Sequence, residues 1–361
     1  MEDTLQPAFQ QQESQFARAF AIPRDGIAQR AFPGASLAVT HRGELIASRG
    51  FGHFTYDSGS PLVHADTVFD LASVTKVLAT TTMAMLLFER GLLDLDTPVV
   101  SLLPDFEASG GRKEVTVRML LSHSSGLPAY VKLFETTNTR DELVRAACTV
   151  PLANPPGTHA EYSDIGFILL GEILARIANE SLDTFIQREV FTRLDMRQTQ
   201  FNPPPSLKDT IPPTEDDRTF RHRIIQGAVN DENASVMGGF AGHAGLFASA
   251  PDVARFAECM LRGGSPIFQP ATVELFTRRQ NTPANTSRAL GWDTPSHPSS
   301  SGHHFSSQSF GHLGFTGTSL WIDPERQLSV TLLTNRTWPD RNSQAIKQIR
   351  PLVHDAIVEA L

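Results

Sequence analysis

A serine three residues ahead of a lysine, Ser73-Val74-Thr75-Lys76, stands near the start of an otherwise apolar run from Phe69 to Leu87, in a chain with only five lysines. On a helix, positions three apart share a face, so this spacing sets the Ser73 hydroxyl beside the Lys76 amine. A serine hydroxyl attacks poorly until a base takes its proton. Lysine serves as that base when burial disfavours its charged form, and Val74, Val77 and Leu78 offer apolar surroundings. A backbone N–H in the first turn of a helix lacks an intrahelical acceptor and is free to face a developing oxyanion. The chemistry implied is acyl transfer through serine. The bare spacing also fits a helix cap followed by a lysine reaching for water, so the rest of the chain must decide.

The bulk composition removes several alternatives. The chain has 361 residues, enough for a large core and for two domains. A formal net charge of −8 argues against a nucleic-acid binder, which needs a basic surface. The longest apolar stretch, Val74 to Phe88, is short and holds threonines and a lysine, so no membrane span is expected. The N-terminal stretch has no basic segment followed by an apolar run, which makes a cytoplasmic location the expectation. Cys148 and Cys259 are expected as reduced core residues. No metal or cofactor is expected: His303-His304 lies in a Ser-rich loop without ligand spacing, and no Walker-type glycine loop occurs. No G-x-S-x-G nucleophile elbow appears either.

The elements that must position the pair follow from periodicity. Residues 11–30 read as helical with Pro23 interrupting, and 35–48 read as a β-hairpin around His41-Arg42-Gly43. The helix after Ser73 runs to Arg90 and stops at Gly91. Residues 92–230 look mostly helical, with 115–128 ending a helix at a Ser/Gly/Pro turn and 162–180 carrying a second strong helical period. Short strand-like runs follow at 289–292, 311–313, 318–322 and 329–334, and the tail from Gln344 is helical despite Pro351. Strands at both ends with helices between predict an α+β fold. One antiparallel sheet is flanked by N- and C-terminal helices (1–90 and 235–361), with an inserted, mostly helical domain at 91–234. A cleft between the two is the natural place for a site.

Beyond Ser73 and Lys76, the chain carries "GLLDLDTPV" (91–99), "VTVRMLLSHSSGLP" (115–128), Tyr162-Ser163-Asp164, "GHAGLF" (242–247) and "GHLGFTGTSLWIDP" (311–324). In this order they resemble the serine β-lactamase and penicillin-binding-protein-like family, in its class C-type branch, which includes esterases, D-aminopeptidases and muropeptide amidases. The resemblance implies Ser73 as acylated nucleophile, Lys76 as its base and Tyr162 as proton shuttle to the leaving group. It also implies an oxyanion hole from the N–H groups of Ser73 and Phe315. Asp164 stands where many members have asparagine. His312-Leu313-Gly314 stands in the place of Lys-Thr-Gly. Asp164, His312 and Gly314 are thereby expected at the substrate, and His243 either there or as a core histidine of a tight structural turn. Asp231, Glu232 and Asn233 are expected near the cleft, with Gly238, Gly239, Gly242 and Gly245 letting the backbone approach a substrate. Ser122-His123-Ser124-Ser125 reads as a hydrogen-bonded turn.

The function expected is a serine hydrolase acting on a small ester or amide, with a cell-wall muropeptide among the candidates. The alternatives are a true β-lactamase or DD-peptidase, or an idle fold used for binding or assembly. Because His312 is only conditionally charged and Leu313 lacks a hydroxyl, short neutral esters are expected to outperform carboxylate-bearing β-lactams.

Overall fold

The computed structural model describes residues 5–107 and 110–361. The N-terminal stretch read above thus begins on four residues that lie outside them. The strands are β1 Gln6–Pro7, β2 Gly34–His41, β3 Glu44–Gly52, β4 Val68–Asp70, β5 Gln200–Phe201, β6 Glu215–Asp217, β7 Arg223–Ile225, β8 Leu246–Ser249, β9 Phe310–Leu313, β10 Ser319–Asp323 and β11 Leu328–Thr334. The α-helices are α1 Gln12–Gln15, α2 Ala17–Ala28, α3 Thr82–Glu89, α4 Val99–Leu102, α5 Val117–Leu121, α6 Arg140–Thr149, α7 Asp164–Ala178, α8 Leu182–Ile186, α9 Glu232–Val236, α10 Ala250–Leu261, α11 Pro270–Thr277 and α12 Ile346–Glu359.

Both ends of the chain build one six-stranded sheet in the order β1-β3-β2-β11-β10-β9, antiparallel except for the short β1–β3 pair. Side chains alternate across it as the strand period requires. Leu37, Val39, Trp321, Val330 and Leu332 join Phe20 of α2 and Val353 and Ile357 of α12 in one apolar cluster. Ala38, Leu320, Ile322 and Leu333 face the other way, into a larger cluster with α10, α3 and α7. A mixed α+β architecture with the sheet between terminal helices and the rest of the chain is therefore what forms.

Three local expectations change. Pro23 does not interrupt the N-terminal helix but lies inside α2. Losing its N–H costs about 3 kcal/mol. Burying Phe16 and Phe20, both fully covered, returns roughly 1.5–3 kcal/mol each. Residues 289–292 make no strand, only bridges between Arg288 and Asp293 and between Asp293 and Gly311, because Gly291 turns the chain at φ +86°. The 92–230 stretch also contains the short strands β5, β6 and β7 among its helices. The two cysteines are free and buried. No helix among the described residues is long and apolar enough to cross a membrane.

Candidate active site

The serine turn is built where β4 ends. Asp70 Oδ1 accepts the Ala72 N–H at 2.8 Å and Oδ2 accepts the Asn230 N–H at 2.7 Å, while burial pushes the Asp70 carboxyl up to about 6. Ala72 is held at φ +46°, a left-handed conformation costly for a residue with a Cβ. The helix that follows has the expected span but not a uniform pitch. Ala72–Val74 form a 3₁₀ turn, Lys76–Thr81 are π-helical, and α3 continues to Glu89. A π-helical stretch widens the turn and is frequent at functional sites.

Lys76 is 0 % exposed. Its Nζ donates to Ser73 Oγ at 3.0 Å, to Asp164 Oδ1 at 2.6 Å and to the His243 carbonyl at 2.9 Å. Burial lowers its pKa, against the opposing pull of Asp164 and Asp231, and Arg288 lowers it further. The three contacts also fit a neutral amine. Two N–H groups then serve Asp164 and the carbonyl, and the lone pair faces the Ser73 hydroxyl.

Tyr162 sits just ahead of α7, whose N-cap Ser163 bonds the Gly166 N–H at 3.0 Å. Its hydroxyl donates to Ser73 Oγ at 2.6 Å and lies 3.2 Å from Asp164 Oδ1. Burial, aided by the Asp164 charge, holds its pKa well above that of a free phenol. His123, at φ +56° in the predicted turn, packs at a tilt between Tyr162 (4.8 Å) and Phe167 (5.0 Å), and its Nδ1 accepts the Ser163 N–H at 3.1 Å. The turn is thus a support for the Tyr162 ring.

On the far wall, His312 lies on the edge strand β9, 6.0 Å from Tyr162 between ring centres. Burial first, then the charges of Lys76 and Arg288, keep its pKa well below the usual histidine range, so it is neutral near pH 7. Its Nδ1 is 2.8 Å from the Leu313 carbonyl, which fixes a proton there. The turn from Gly314 to Thr318 is stitched to the serine turn: Thr316 Oγ1 donates to the Asp70 carbonyl and Thr318 Oγ1 to the Leu71 carbonyl, each at 2.8 Å. Among the described residues, no protein acceptor takes the backbone N–H of Ser73 or of Phe315.

Ser73, Tyr162, Asp164, His312 and Phe315 line a cleft of about 630 Å³, while Lys76 itself is buried. His243 lines it too, but its ring is buried and its Nε2 is 2.8 Å from Asp231 Oδ1. Burial would raise the Asp231 carboxyl, yet His243 and the Ala234 N–H bring it down to about 2. Asp231 and Glu232 reach the cleft. Asn233 instead is buried and bonds Val131 and Phe134 of the facing loop. The glycines of 238–245 do not approach the cleft. Gly242 abuts Gly171 of α7, where a Cβ would collide with the Phe167 carbonyl, and its own carbonyl takes the Thr80 hydroxyl at 2.6 Å. That contact sets the next carbonyl, of His243, on Lys76. Residues the motifs did not mark also line the cleft, namely Tyr130, Arg288, Arg336, Arg341 and Arg350. No spacing singles out these arginines in a chain rich in them.

The chain is similar to known proteins over nearly its whole length. The profile of the beta-lactamase family matches residues 14–353. The N-acetylmuramyl-L-alanine amidase of Bacillus subtilis is 33 % identical over 346 residues, covering 84 % of this chain and 77 % of that protein. Among solved structures, EstCE1, a hydrolase with promiscuous acyltransferase activity, superposes with a TM-score of 0.76 at 23 % identity, covering 95 % of this chain and 99 % of its own. A penicillin-binding protein homologue from Caulobacter crescentus gives 0.77 at 20 %, covering 96 % and 98 %.

Proposed function

The chain belongs to the beta-lactamase family of serine hydrolases, and from that premise we propose that Ser73 is its acylated nucleophile, Lys76 the base and Tyr162 the proton donor to the leaving group. The observation that carries this is one oxygen shared by two proton-handling groups. Ser73 Oγ lies 3.0 Å from the buried Lys76 amine and 2.6 Å from the Tyr162 hydroxyl. In the proposed cycle the Ser73 proton passes to Lys76 as Oγ attacks a carbonyl carbon. The new oxyanion faces the N–H groups of Ser73 and Phe315. Tyr162 gives its proton to the departing amine or alcohol and regains one from Lys76, and water then releases the acyl group. The same reading takes 91–234 as one wall of the cleft and 1–90 with 235–361 as the other. The substrate is an ester or amide, and similarity to the amidase makes muropeptides the first class to assay.

Treatment with a fluorophosphonate should give a single adduct by intact mass, mapping to Ser73 and absent from Ser73→Ala. An adduct on another residue, or none, would remove Ser73 as nucleophile and favour the idle-fold alternative.

Asp164 gives a pH test. Its carboxylate holds a proton on Lys76, so replacing it removes a cause that raises the lysine pKa. In Asp164→Asn the amine therefore becomes neutral at lower pH. The acid limb of kcat/KM, where activity rises as Lys76 loses its proton, should move to lower pH. A limb that stays in place or moves upward would mean that Lys76 is not the group titrating there.

A further inference from the structure

Arg350 projects from the first turns of α12 and is 6 % exposed. Among the described residues no carboxylate pairs with it, and its Nε is buried without a partner. A buried guanidinium without a counter-ion is costly. Burial, with Arg336 nearby, lowers its pKa to about 9, which still leaves it charged at neutral pH. What it touches is specific: Nη2 donates to the Gly314 carbonyl and to the Thr318 carbonyl, each at 2.7 Å.

The Gly314 carbonyl and the Phe315 N–H belong to one peptide plane and, in a trans peptide, point in opposite directions. A cation on the carbonyl side therefore fixes the direction of the N–H on the other side. It also polarises the peptide, since hydrogen bonds in series strengthen one another. The two flanking peptides are fixed as well, the following one by Arg336 Nε on the Phe315 carbonyl at 2.6 Å and the preceding one by the Gly314 N–H on Thr318 O at 2.7 Å. Gly314 has no room for a Cβ, which would overlap Thr318 Oγ1 and the Leu71 carbonyl. We infer that Arg350 is a positioning residue of the oxyanion hole, clamping the Gly314–Phe315 peptide so that the Phe315 N–H is aimed and strengthened as a donor. This rests on the proposed acyl-enzyme chemistry at Ser73.

The test uses the full chain, 4-nitrophenyl butyrate as an uncharged substrate and phenylboronic acid as a tetrahedral adduct former at Ser73, with active sites counted by fluorophosphonate. Removing a whole oxyanion donor costs about 10²–10³ in kcat, so loosening one should cost roughly tenfold. Arg350→Gln should show that loss in kcat with KM little changed, and a matching rise in the phenylboronic acid inhibition constant. Arg350→Lys, which keeps the charge and a donor, should recover part of both and serves alone if the glutamine variant does not fold. The uncharged ester excludes a lost salt bridge to substrate as the cause. If both variants lower the melting temperature but leave kcat and the boronate constant per active site unchanged, Arg350 is structural only and the inference is overturned. If the parent labels at Ser73 but only KM rises in the variants, the clamp is likewise overturned while the Ser73 chemistry stands. Failure of the parent to label at Ser73 or bind the boronate would overturn both.

Discussion

Lys76→Ala should lower kcat by a factor on the order of 10³, within the range for loss of a positioned general base, while the protein stays folded. Ser73 Oγ has two side-chain neighbours at hydrogen-bond distance, Lys76 and Tyr162. Tyr162 cannot substitute as the base near neutral pH, because burial holds it in the phenol form. Truncation leaves a void and strips the Asp164 carboxylate of its ion-pair partner. That carboxylate is partly exposed, at 16 %, so water is available to it. Lys76→Met keeps the volume and separates base loss from cavity formation. Tyr162→Phe keeps the packing against His123 and should cost on the order of 10² in kcat, with more loss for amides than for activated esters, whose leaving groups need no proton. Steady-state kinetics, with circular dichroism and melting curves as folding controls, would decide. Turnover in folded Lys76→Met above a tenth of the parent value would take the base role away from Lys76.

How far the sequence carried this site depends on the range of each interaction. Ser73 and Lys76 meet through local helical spacing, so their contact is readable from two positions. Tyr162 and Asp164 come to them across nearly ninety residues, and only the ordered set of motifs placed them there. The central sheet was readable because the β2–β3 hairpin and β11 carry apolar side chains at alternate positions, while β10 is a short continuous apolar run, Leu320-Trp321-Ile322. The π-helical pitch at 76–81 was not. It depends on Thr80 bonding Gly242 and on Thr82 bonding the Val77 carbonyl, and side-chain contacts of this kind leave no periodic trace. His243 makes a contact to Lys76 that was hidden for a similar reason. A histidine near a glycine cluster suggests an imidazole at the substrate, yet the atom that reaches Lys76 is its backbone carbonyl. Pro23 shows the opposite failure, a strong local rule overridden by burial of the helix that contains it.

Arg288→Ala should lower kcat/KM for nitrocefin by roughly ten- to hundredfold, the worth of one charge-assisted hydrogen bond or bidentate contact of about 1.5–3 kcal/mol. It should change that for 4-nitrophenyl butyrate far less. The sequence points to weak carboxylate recognition, because a neutral histidine and a leucine occupy the place of lysine and threonine. The cleft nevertheless holds a permanent cation beside the chemistry. Arg288 lies with its guanidinium 5.7 Å from the Tyr162 ring centre. Its nearest carboxylate oxygen, Asp293 Oδ1, is 3.7 Å away and already accepts from Ser287 Oγ at 2.7 Å and the Thr294 N–H at 3.1 Å. No hydrogen bond from the Arg288 guanidinium to a protein acceptor is formed among the described residues, so its donors are free for a carboxylate entering the cleft. Arg288 also lowers the pKa of Lys76, and its removal would raise that pKa and slow both substrates at a given pH. The ratio between the two substrates, taken on the alkaline side of the acid limb, isolates the binding contribution. A selective loss on nitrocefin assigns carboxylate recognition to Arg288 rather than to residues 312 and 313. His312→Lys with Leu313→Thr should then add little to the parent. Equal losses on both substrates would place Arg288 in the electrostatics of Lys76 and Tyr162 alone. In that case the preference for neutral esters should hold, and the 312/313 double change should narrow it.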